Sequence, residues 1–146
     1  MANYNIRSTV SYNRFFMDID GSDKQFYFRH EGTSDDVYVF EAAIDMLSYI
    51  TMHKENWQKQ NYVCLGGVAI DALLNIMENN KNIKMVHLCV DNDEAGEKVI
   101  KRIGDELNIR DIEWDRIAPQ YKDCNEDLVY EKEQEEQQNF EMQLSM

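Results

Sequence analysis

Proline occurs once, at Pro119, and glycine only six times in 146 residues. That excludes a collagen-like chain and a Pro/Gly-rich disordered one. Long apolar runs are missing as well. Nothing approaches the ~20 apolar residues of a membrane span, and the opening MANYNIRSTVSYNRFF lacks the apolar centre of a secretion signal. Cysteine is scarce and scattered: Cys64, Cys89 and Cys124 form no CxxC or CxH pair, which argues against a zinc site or a disulfide framework. Cys64 and Cys89 lie inside apolar runs and read as buried thiols of a reducing compartment. Positive charge is also short, with 15 Lys and Arg against 28 Asp and Glu, a formal net charge of −13. A protein that coats DNA through a basic face would not be built this way. Either the partner is not nucleic acid, or the acids gather cations that mediate the contact. These absences together describe a soluble cytoplasmic protein with no membrane partner.

What is present is globular. Apolar residues make up 43% of the chain, enough for one domain with a core of its own. Residues 1–36 read as a β-rich extension, in which RFFMDI and QFYFRHE flank the turn Asp20-Gly21-Ser22-Asp23 as a hairpin. Residues 37–130 then alternate. VYVF (37–40), YVCLGG (62–67), IKMVHLCVD (83–91) and IEWDRIAP (112–119) are short apolar runs. Between them, residues 42–52, 68–77 and 94–107 carry apolar side chains at helical spacing. Continuous apolar strands alternating with helices predict a parallel sheet covered on both faces. The expected fold is therefore a small Rossmann-like α/β domain with four parallel strands, followed by a polar helix over 127–140. Residues 131–146 form an acidic, Gln-rich tail with five Glu and one Lys.

In an open parallel sheet, ligands gather at the carboxyl ends of the strands. Here those ends read Phe40-Glu41, Leu65-Gly66-Gly67, Val90-Asp91-Asn92-Asp93, and the stretch after Pro119 that reaches Tyr121-Lys122-Asp123. Three of the four carry a carboxylate. Asp91 and Asp93 are two apart, so they point the same way if the strand geometry persists. Two convergent carboxylates suit Mg²⁺, which takes oxygen ligands and keeps room for phosphates. In a 2-1-3-4 strand order, Glu41 and Asp91 flank the crevice where the order reverses. An EF-hand loop beginning at Asp91 fails, because its fifth and twelfth positions are Ala95 and Arg102. A phosphorylated receiver-type domain also fails, for lack of an acid pair after the first strand. The simpler alternative for Asp93 is a helix N-cap.

These residues in this order resemble the Toprim domain shared by bacterial primases, topoisomerases and certain nucleases. The motifs that carry the resemblance are VYVFEAAIDMLSY (37–49), VHLCVDNDEAGEKVIKRI (86–103) and YKDCNEDL (121–128). The Gly21-Ser22-Asp23-Lys24 turn is similar to one that precedes Toprim-like domains in proteins of conjugative and other mobile elements. Cys124 stands where the family often has an aromatic residue, and the zinc-binding and helicase segments that often neighbour such domains are not in this sequence. The resemblance implies Glu41 as a general acid/base or metal-linked acid. It implies Asp91 and Asp93 as Mg²⁺ ligands, with Mn²⁺ as an alternative ion, and Asp123 as a candidate for a second metal. Asp45, one turn beyond Glu41, either orients Glu41 or a metal-bound water, or is an early-helix acid favoured by the dipole. Gly66 and Gly67 form a tight turn or let backbone amides approach a phosphate. Lys24, Arg29 and Lys122 are the bases nearest these motifs and are candidates for phosphate contact. The implied activity is metal-dependent phosphoryl or nucleotidyl transfer, or phosphodiester cleavage, on nucleic acid, primase-like or nickase-like. The alternative is a non-catalytic Toprim module that recruits a protein partner, and either role allows for domains beyond this chain.

Overall fold

The computed structural model describes residues 28–67 and 70–145. The expected hairpin around Asp20–Asp23 and the candidate Lys24 lie outside the described residues. Five strands form one sheet: β1 (Arg29–His30), β2 (Asp36–Phe40), β3 (Asn61–Cys64), β4 (Met85–Leu88) and β5 (Glu113–Arg116). Their spatial order is β1-β3-β2-β4-β5. The four strands from β2 onward are parallel, in the expected 2-1-3-4 arrangement. The sheet gains one strand over the four expected, because Arg29 and His30 pair antiparallel with Val63 and Tyr62 at its edge.

Alternation along the strands sorts the core into two layers. Val37 and Val39 of β2, Val63 of β3, and Val86 and Leu88 of β4 face one side. There they meet Leu73 and Ile76 of α2 (Asp71–Asn79) and Ile103 and Leu107 of α3 (Glu94–Ile109). On the opposite side Phe40, Tyr62, Cys64 and Cys89 pack with Ala43 and Met46 of α1 (Ala43–Met52) and with Cys124 of α4 (Cys124–Leu144). All three cysteines are buried and free, as the apolar settings of Cys64 and Cys89 imply; Cys124, in a polar run, is buried by the packing of the first turn of α4. Burial pushes the Cys124 thiol up to about 12, with Asp45 the next contributor, so it stays a neutral packing group.

The helix boundaries follow local chemistry. Asp93 caps α3 by accepting from the Gly96 amide at 2.7 Å, and Asp123 caps α4 by accepting from the Glu126 amide at 2.8 Å. α4 is a 21-residue helix, beginning before the expected start at 127 and running past 140. At 1.5 Å per residue it is about 30 Å long. Its first turn is the part anchored in the core, and Val129, Tyr130, Phe140, Met142 and Leu144 are exposed along the rest. Among the described residues no helix is long and apolar enough to cross a membrane.

Candidate metal centre

The chain order reverses beside β2. From β3 on one side, the chain crosses over to β4 on the other, and the carboxyl ends of β2 and β4 open into the crevice between them. Glu41 follows β2 and Asp91 follows β4. The backbone carries the pairing past the strand ends, with the Cys89 amide donating to the Val39 carbonyl at 2.8 Å. Two residues on, the Asp91 amide donates to Glu41 Oε2 at 3.0 Å. The expected adjacency of Glu41 and Asp91 is thus a direct bond across the switch point.

Two further acids converge on Asp91. One carboxylate oxygen from each of Asp45, Asp91 and Asp123 lies within 4.8 Å of the others. Each arrives from a different element. Asp45 stands in the first turn of α1 and is only 5% exposed. Its Oδ1 accepts from the Asn125 amide at 3.3 Å, which joins α1 to the start of α4. Asp123 is the residue before α4. The loop that carries it is fixed at several points. The Asp127 carboxylate accepts from the Gln120 and Tyr121 amides, both at 2.8 Å. Glu126 accepts from the Lys122 amide at 3.2 Å. The Lys122 carbonyl accepts from the Asn92 amide at 2.6 Å, so the loops bearing Asp91 and Asp123 are tied side by side.

The cluster is electrostatically loaded. Burial pushes the Asp91 carboxyl up to about 7, and the charges of Glu41, Asp45, Asp123 and Asp93 push in the same direction. A divalent cation relieves that repulsion. The geometry also fits one: Mg²⁺ binds oxygens at ~2.1 Å, so oxygens on opposite sides of the ion stand ~4.2 Å apart. Three oxygens mutually within 4.8 Å are close enough to be drawn onto one octahedral ion, where at most one pair is opposite and neighbouring pairs contract to ~3.0 Å. Asp45, Asp91 and Asp123 are therefore the residues that could hold an ion, with Glu41 beside them.

The other expected site residues fall elsewhere. The expected strand geometry does not reach Asp93, because β4 ends at Leu88 and Asp93 instead spends Oδ1 on the α3 cap. It contributes charge to Asp91 but is not among the three grouped acids. Gly66 and Gly67 have φ of +57° and +83° and are exposed; the Gly66 amide donates to the Glu41 carbonyl at 3.2 Å. They make the left-handed turn that begins the return from β3. Lys122 is exposed at the edge of the cluster. Arg29 lies at the sheet edge, paired with Glu31 at 3.0 Å and bonded to Asn75.

One residue that the sequence reading passed over supports the site. A Cβ on Gly96 would fall inside the Asp91 carbonyl. The missing side chain is what lets α3 start directly against the Asp91 backbone. The signal was present as a glycine three residues after the capping Asp93, but nothing local said that Asp91 would lie against it.

Comparison with known proteins agrees with this architecture. The sequence pattern of the Toprim-like family matches residues 38–128, which span the three acids and Glu41. An uncharacterized protein of Bacillus anthracis is 35% identical over 69 residues, which are 44% of this chain and 20% of that protein. The crystal structure of the primase fragment of the bacteriophage T7 primase-helicase protein shares the fold. Its TM-score is 0.54 at 21% identity, over 73% of this chain and 43% of that one. The chain thus spans about a fifth of the length of the curated relative it matches. With the family pattern covering more than half of its residues, and with the four parallel strands in 2-1-3-4 order beneath it, the chain belongs to the Toprim-like family.

Proposed function

We propose that the chain is a Mg²⁺-dependent Toprim enzyme that carries out nucleotidyl transfer or phosphodiester cleavage on nucleic acid, in the processing of mobile-element DNA. The observation that carries this reading is the convergence of Asp45, Asp91 and Asp123 at the carboxyl end of a parallel sheet, with Glu41 bonded to the Asp91 backbone. That the T7 neighbour of the same fold is a primase fragment supports this direction for the chemistry.

Asp45, Asp91 and Asp123 hold the ion in this reading, and Asp93 adds its charge while capping α3. A bound Mg²⁺ supplies charge neutralisation at phosphoryl oxygens and offsets the repulsion that an acidic chain of net charge −13 offers to nucleic acid. Glu41 acts as the general acid/base. The Asp91 amide fixes one of its oxygens at 3.0 Å, and a fixed carboxylate is a better proton acceptor than one that must first be oriented. Gly66, Gly67 and Lys122 border the substrate path as phosphate contacts, and Lys24, outside the described residues, is a further candidate for such a contact. The fixed loops explain how four acids are kept together despite their repulsion.

The test is nicking and primer-synthesis activity with Mg²⁺ or Mn²⁺, comparing wild type with Asp91→Asn and Glu41→Gln. Loss of at least about a hundredfold in both variants, with the fold retained, supports the reading. Wild-type activity in a folded Asp91→Asn protein contradicts it. A second reading, a non-catalytic module that recruits a protein, is favoured by one observation. α4 displays Tyr130, Phe140, Met142 and Leu144 on an acidic helix whose outer turns lie away from the core. Capture of the same partner by wild type and by the Asp91→Asn variant, with no activity in either, selects it.

A further inference from the structure

His87 stands near the middle of the sheet, on β4, with a carboxylate at each ring nitrogen. Nδ1 lies 2.7 Å from Asp115 Oδ1 of β5, and Nε2 lies 2.9 Å from Asp36 Oδ2 of β2. Three neighbouring parallel strands are thereby joined through one side chain, which is only 13% exposed. An ionised carboxylate accepts hydrogen bonds and donates none. Each ring nitrogen must therefore carry a hydrogen. A neutral imidazole has one N–H and can satisfy only one of the two acids. The arrangement is that of an imidazolium between two carboxylates.

We propose that His87 is a proton-operated clamp, which as an imidazolium ties β2, β4 and β5 together and on losing its proton releases one of the flanking strands' aspartates. The released carboxylate is left beside a ring nitrogen that no longer donates, and both acids then repel across the strand. The clamp goes beyond the proposed metal chemistry and does not depend on it. It lies on the α1 and α4 face of the sheet, four residues before Asp91. The strands that it joins are those whose far ends lead to Glu41, Asp91 and the loop of Asp123.

The groups around His87 support this assignment. From β2 they are Asp36 and the Tyr38 ring, whose centroid is 4.6 Å away. From β5 it is Asp115. On its own strand, the Cys89 thiol leans on the His87 carbonyl at 3.6 Å. From α1, Tyr49 lies against Tyr38 and Phe40, and His53 stacks on Tyr49. Burial alone would lower the imidazole's affinity for its proton, but the bonds to Asp36 and Asp115 outweigh it and the net direction is upward from 6.5. A folded value above the unfolded one means that the clamp's stabilisation is full below about pH 6.5 and is lost as pH rises through the folded value.

The experiment uses the metal-free full chain. Side-chain nitrogen–proton NMR follows the His87 ring from about pH 5 to about pH 9, and urea unfolding is measured over the same range for wild type, His87→Gln and Asp115→Asn. The clamp predicts protons on both ring nitrogens at neutral pH, and a titration above 6.5 that moves down in Asp115→Asn. It also predicts a gap in urea midpoint between wild type and His87→Gln that narrows as pH rises. Any pH dependence contributed by Asp91 is common to both proteins and cancels in that gap. A single protonated nitrogen at neutral pH overturns the clamp, as does a titration that Asp115→Asn leaves in place. If His87→Gln does not fold, the half-exposed Asp115→Asn variant and the ring titration still decide.

Discussion

At the scale of the residue, Asp91 is the point where burial and four neighbouring acids meet. Its carboxyl rises from 3.8 unfolded to about 7 folded. The native state therefore binds its proton more tightly than the unfolded chain does. The sign follows: metal-free stability falls as pH rises from about 4 to about 7, and levels off above that from this group. Asp91→Asn removes the cost of the charge. At pH 8 the metal-free variant should be more stable than wild type by about 1 kcal/mol, a figure discounted for the carboxylate's partial exposure. Urea unfolding at pH 5 and pH 8 checks this, and a variant less stable at both would mean that Asp91 is not strained by its neighbours. Asp93 is predicted to behave differently. Asp93→Asn keeps an oxygen for the Gly96 amide and should change stability little, whereas Asp93→Ala loses the cap and about 1 kcal/mol. Equal losses in the two would remove the capping assignment.

Not all of this was legible in the sequence. Glu41 and Asp91 could be placed at strand ends because VYVF and VHLCV are short apolar runs that stop at acids, and a 2-1-3-4 strand order makes them neighbours. Asp45 was harder. In the sequence it is an early-helix acid like any other, and its burial depends on α4 folding back across the start of α1, a contact between segments 80 residues apart. Asp93 was ambiguous, since a helix-capping acid and a metal ligand look alike at that position. The two-residue spacing holds only while the strand continues, and the chain leaves β4 at Leu88.

At the scale of the element, the site is assembled from helix starts. α3 begins against the Asp91 carbonyl and α4 begins at Asp123, so each helix N-terminus fixes one acid. Gly96 is where this is most tightly determined. Gly96→Ala would ordinarily stabilise a helix by about 1 kcal/mol. Here the added methyl group collides with the Asp91 carbonyl, and the expected outcome is a net loss of about 2 kcal/mol or more, with displaced amide resonances for residues 91–96. A neutral or stabilising Gly96→Ala, read by thermal unfolding, would mean that α3 does not pack on Asp91. The start of α4 shows how a helix boundary can hide. Asp123-Cys-Asn-Glu126 has the spacing of a capping box, but its acids also carry the motif resemblance, and the apolar pattern alone places the helix start at 127. In the structure Glu126 bonds the Lys122 amide, one residue before the cap, and the helix begins at Cys124.

At the scale of the whole molecule, a chain of net charge −13 holds its most crowded acids at the open end of its sheet. Nothing in packing requires that. Solvated acids relieve repulsion by spreading out, yet here backbone bonds from Asn92, Asn125 and Glu126 hold the loops so that the acids cannot spread. A cation bound among them would offset that strain. The parallel sheet and its two apolar layers were readable from runs and periodicity, because each layer is written locally in every strand. The edge strand Arg29–His30 falls within the expected run QFYFRHE, but its antiparallel pairing with β3 was not readable, since two residues carry too little pattern to declare a partner.

The central claim is that these acids form one cation site, and the most direct measurement is a Mn²⁺ titration followed by NMR on wild type and on Asp91→Asn. The account predicts paramagnetic broadening confined to residues around Glu41, Asp45, Asp91 and Asp123, and its loss in the variant. Broadening spread over the acidic surface of α4, or broadening at the cluster that survives Asp91→Asn unchanged, would contradict it.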